Sequence, residues 1–78
     1  MNLPTNHYVI EIRHNGKLLS ARVMSADAGE WQRGMMAERL VASLPPYEQT
    51  DPPTPLIARE IYFSGDIGRE VKAYEVND

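Results

Sequence analysis

Apolar and polar residues alternate with a period of two along residues 7–24 of the 78-residue chain, on either side of an Asn-Gly pair. His7–Arg13 and Lys17–Met24 therefore predict two antiparallel strands, and Asn15-Gly16 predicts the loop between them. A type I′ turn needs φ > 0 at both central residues, which Asn-Gly tolerates best. With those two residues as the loop, Ile12 faces Leu19, Ile10 faces Ala21 and Tyr8 faces Val23. Glu11, Ser20 and Arg22 fall on the opposite face, so turn chemistry and alternation agree.

From Asp27 to Leu44 the period lengthens to that of a helix. Met36, Ala37, Leu40, Val41 and Leu44 form one apolar stripe, which predicts the face that lies on the sheet. Asp27 and Glu30 have capping-box spacing, and Pro45-Pro46 stops the helix after Leu44. Trp31 and Met35 lie off the stripe, on a side shared with Ala28 and Ala42, and Gly34 interrupts the helix between them. Residues 45–55 hold five of the six prolines and read as an extended connection.

Residues 56–76 predict a second hairpin around Ser64–Gly68, with Ile61 against Val71 and Phe63 against Arg69 on the nominal core face. Tyr62–Glu70, Glu60–Lys72 and Ala58–Tyr74 pair on the other face. Arg59 and Glu75 fall awkwardly on the core face. The competing reading makes Thr54 an N-cap and Pro55 the first residue of a short helix through Tyr62. The Ile61-Tyr62-Phe63 run favours pleated packing, hence a strand. The expected fold is α+β in the order ββαββ: one domain over 1–78, an antiparallel sheet of about four strands, and one helix on one face.

Composition narrows the chemistry. The absence of cysteine excludes a disulfide scaffold, a thiolate zinc site and a cysteine nucleophile, and fits a cytoplasmic setting. No apolar run approaches the ~20 residues of a membrane span. Residues 1–6 lack the basic and apolar regions of a secretion signal. The net charge of −3 is uneven. Residues 1–45 carry five basic and four acidic groups; residues 46–78 carry three basic and seven acidic ones. Their balances, +1 and −4, predict an acidic side and disfavour direct binding to a phosphate backbone.

Few residues offer catalytic or metal chemistry. His7 and His14 lie at opposite ends of one predicted strand, too far apart to share a metal, and read as an outer-face and a turn histidine. Ser20, Ser25, Ser43 and Ser64 lack the Gly-x-Ser-x-Gly elbow of a nucleophile. Gly65-x-x-Gly68-Arg69 could cradle a phosphate through backbone N–H groups, but Asp66 opposes an anion there and the turn reading wins. Pro52–Pro55 meets the bare P-x-x-P pattern without nearby flanking basic residues, so it reads as a stiff loop. No catalytic residue, metal or cofactor is expected.

Two readings of Trp31 stand side by side. Gly34 could bend the helix and bring Trp31 into the core, or Trp31 and Met35 could anchor an interface, where Trp, Met, Tyr and Arg concentrate. The second reading adds Arg39, with Tyr62 and Tyr74 from the outward sheet face. Glu60, Asp66, Glu70 and Glu75 would steer a basic partner. The expectation is a small non-enzymatic protein-binding module, an inhibitor or adaptor of a basic protein that handles nucleic acid. Small acidic cysteine-free chains are common among phage and mobile-element accessory proteins, and the analogy gives that class. The alternatives are a homodimer formed through the Trp31 face or a strand edge, and a weak nucleic-acid binder using Arg13, Lys17, Arg22, Arg33 and Arg39.

Overall fold

The computed structural model describes residues 5–76, so residues 1–4, most of the segment read for a secretion signal, lie outside it. Strands β1 (Asn6–His14) and β2 (Lys17–Ser25) form the first hairpin, α1 spans Glu30–Ala42, and β3 (Leu56–Ser64) and β4 (Ile67–Val76) form the second. They make a four-stranded antiparallel open sheet in the order β2-β1-β3-β4, with α1 against one face. The ββαββ architecture is the one the hydrophobic pattern predicts. β3 is a strand from its first residue, so the short helix after Pro55 does not form.

Asn15 and Gly16 have φ of 51° and 78°, as a two-residue I′ loop requires. Beyond that loop the predicted register fails. Arg13 pairs with Leu18 as expected, but Ile12 pairs with Ser20, Ile10 with Arg22 and Tyr8 with Met24. Leu19 is the extra residue of a β-bulge, and every β2 side chain past it changes face. Leu19 and Met24 both pack against the core as a result, whereas Val23 is exposed. Ser20 and Arg22, not Ala21 and Val23, share the face of Ile10 and Ile12.

The second hairpin shifts at its turn end. Ala58–Tyr74 and Glu60–Lys72 pair as predicted, but Ile61 meets Glu70, Tyr62 meets Arg69 and Phe63 meets Gly68. Val71 is the bulged residue, and the loop shrinks to Gly65-Asp66. The face prediction for β3 is inverted. Its pairing with β1 sets Ala58 beside Ile12 and Glu60 beside Ile10, so Leu56, Ala58, Glu60 and Tyr62 lie under the helix. Ile57, Arg59, Ile61 and Phe63 face away from it.

The helix begins later and ends earlier than its periodicity suggests. Gly29 occupies the N-cap position in place of Asp27, and its N–H donates to Gln32 Oε1 at 2.9 Å. Ser43 closes the other end, its N–H and Oγ both donating to Arg39 O. The predicted stripe does face the sheet: Ala37 and Leu40 are buried with Ile10, Ile12, Leu56 and Ala58, and Met36, Val41 and Leu44 pack at the margin. Small side chains at Ala37 and Ala58 allow helix and sheet to approach closely.

The proline-rich connection is tied to the first hairpin through His14, which is buried rather than a solvated turn residue. His14 Nε2 lies 2.8 Å from Gln49 Oε1 and 2.9 Å from Thr54 Oγ1. Gln49 Oε1 also accepts the N–H groups of Thr50 and Thr54, and the Tyr47 ring sits 5.0 Å from the imidazole. A single glutamine thereby organises a segment whose prolines cannot supply backbone donors.

Candidate functional site

α1 does not cover the whole of its sheet face, and an open groove of about 710 Å³ remains between it and β4. Trp31, Gly34, Met35 and Glu38 line it from the helix, and Lys72, Tyr74 and Val76 from the strand. Glu30 stands at one end, where Lys72 Nζ reaches its Oε1 at 3.4 Å. Trp31 is 77% exposed and therefore outside the core. The reading that placed it inside is corrected: the helix runs on through Gly34, and among the described residues nothing folds back over the indole.

The floor of this groove contains a buried carboxylate. Glu60 is 0% exposed, although it was expected on an acidic outer surface. Its Oε1 accepts the Nε of Arg33 at 2.8 Å. Arg33, itself 8% exposed, also donates to Ala28 O and lies 4.3 Å above the Tyr8 ring. Glu60 Oε2 is buried with no hydrogen-bond partner. Burial, with Glu60 and Glu38 nearby, raises the pKa of the Tyr74 phenol. Lys72 Nζ sits 5.1 Å from the ring of that tyrosine.

The groove thus gathers Trp31, Met35, Glu60, Tyr74 and Glu75 out of the expected site residues. The others lie apart. Arg39 lines a second groove on the far side of the helix, with Met24 and Met36. Tyr62 is half-buried on the helix side, edge-on to Tyr8 with centroids 5.0 Å apart, and neither it nor Tyr74 points outward. Asp66 is at the hairpin tip, and Glu70 is bound to Arg59 Nε at 2.8 Å on the opposite face of the sheet. Glu60, Asp66, Glu70 and Glu75 therefore do not form one patch.

Sequence reasoning missed Glu30 and Glu38, which belong to the nominally basic half yet give the groove most of its negative rim. It also missed Arg33, whose burial was legible: positions 33, 37, 40 and 44 follow one helical stripe. Arg33 and Arg13 are both committed to carboxylates, which thins the cluster proposed for nucleic acid. Among the described residues, no group of three His, Asp or Glu side chains could hold a metal ion, and no helix is long and apolar enough to cross a membrane. No protein family, curated protein or solved structure matches this chain.

Proposed function

We propose that the protein is a non-enzymatic binding module that captures a basic segment of another protein in the groove between α1 and β4. The observation that carries this reading is Trp31, a large indole left exposed at the rim of a groove with carboxylates around and beneath it. Tryptophan is among the residues most enriched at binding hot spots. Glu30, Glu38 and Glu75 supply attraction for a cationic partner, and Met35 and Tyr74 supply apolar walls. Glu60 lies buried beneath the groove floor, paired with Arg33. An inhibitor or adaptor role fits a chain of this size.

Trp31 is the only tryptophan, so its emission reports the contact directly. Immobilised protein should retain a basic partner from its native cells, and the purified partner should shift Trp31 emission to the blue. Trp31→Ala should abolish retention while leaving the circular dichroism spectrum unchanged. Equal retention by wild type and Trp31→Ala, or an emission indifferent to the partner, rules the groove out.

A further inference from the structure

The face of the sheet turned away from the helix carries a second, independent surface. Antiparallel sheets with one solvated face usually make that face polar. Here Val9, Ile57, Ile61 and Phe63 lie on it half-buried, and Val23 and Leu18 are 41% and 45% exposed. A ladder of charges crosses it: Glu11 Oε1 accepts from Arg13 Nε at 2.9 Å and from Arg59 Nη1 at 3.0 Å, and Arg59 Nε donates to Glu70.

We propose that this face is the contact of a homodimer, sheet on sheet, about a twofold axis running parallel to the strands between β1 and β3. The register of the two central strands carries the argument. Glu11 pairs with Arg59, and Val9 with Ile61. Rotation about that axis exchanges β1 and β3 between copies, so Glu11 of one copy lies over Arg59 of the other, and Val9 lies over Ile61. In these two rows the charge meets its opposite and the apolar residue meets another, while Arg13 lies over Ile57 and Glu70 over Val23. The flanking positions in the charged row are Ala21, beside Glu11, and Ala73, beside Arg59, small enough to let the sheets close.

Size permits the contact. Four strands at ~4.8 Å spacing, each about nine residues at ~3.3 Å, cover roughly 19 by 30 Å. Two copies then bury on the order of 1,100 Å², just above the ~1,000 Å² that marks a specific interface. Strands of aligned sandwiches cross at about −30°, a small departure from the axis described. The Trp31 groove lies on the other side of the sheet, so the dimer leaves two grooves facing outward.

Sedimentation equilibrium of the full chain should show a mass rising toward twice 8.8 kDa from low to high micromolar concentration. Ile61→Lys should weaken association at least about tenfold, whereas Trp31→Ala should leave it unchanged. The absence of native cysteine allows a test that does not depend on the lysine variant folding. Val9→Cys protein mixed with Ile61→Cys protein should form the mixed disulfide faster than either forms its own. A wild type that stays monomeric at high micromolar concentration, a dimer lost in Trp31→Ala, or no preference for the mixed disulfide overturns the proposal.

Discussion

Arg33 and Glu60 are buried against each other where helix meets sheet, and removal of either partner strands a charge in the interior. Taking each ion from water costs several kcal/mol, which their hydrogen bonds offset only while both are present. Arg33→Met should therefore destabilise the protein by about 3–5 kcal/mol in urea denaturation, and adding Glu60→Leu should restore most of the loss. Equal stability of Arg33→Met and wild type would show that water reaches the pair. The arginine also fixes the helix over Tyr8, so the pair sets position as well as stability.

At the scale of elements, the two hairpins share one device. Each inserts one bulged residue. Leu19 follows a turn kept as predicted and moves the rest of β2 to the other face, whereas Val71 follows a shortened turn and restores the predicted pairing of the rest of β4. In the second hairpin this places Gly68 beside Phe63, whose ring crosses the glycine and stacks on His7 with centroids 5.0 Å apart. A Cβ on Gly68 would come within 2.7 Å of that ring. Gly68→Ala should force Phe63 off His7 and cost about 1–3 kcal/mol, read as a lower Tm. An unchanged Tm would mean that the ring swings aside freely. Strand ends, the helical stripe and the Asn15-Gly16 turn were legible because each rests on neighbours in the chain. Each register was legible only on one side of its bulge, because a bulge is decided by what the far end of the strand must pack against.

For the whole molecule, charge matters through pairing more than through its total. The hydrogen bond from Arg13, aided by the charges of Arg13 and Arg59, outweighs burial and holds the Glu11 carboxyl below its ordinary value of 4.5. A carboxyl depressed in the folded state adds stability that is full above the unfolded pKa and is lost as pH falls through the folded one. Stability should thus decline in acid below about pH 4.5, and Glu11→Gln should lessen that decline. Parallel thermal melts of both proteins from neutral pH to pH 3 would check this, and identical slopes would remove Glu11 as the cause.

The amino-acid sequence by itself determined the ββαββ order, the first turn, the face of the helix that packs inward, and the presence of an indole with no place on that face. These follow from local periodicity, from backbone preferences at Asn15 and Gly16, and from residues too large or too polar to ignore. Only the tertiary structure decided which face of β3 lies under the helix, because Glu60 reads as a surface residue until Arg33, 27 positions earlier, is brought above it. It also decided which carboxylates gather. The late acidic residues disperse over both faces and a hairpin tip, and the groove beside Trp31 adds Glu30 and Glu38 from the helix to Glu60 and Glu75. Charge sums along a chain record composition, but an electrostatic surface depends on distances that only packing sets.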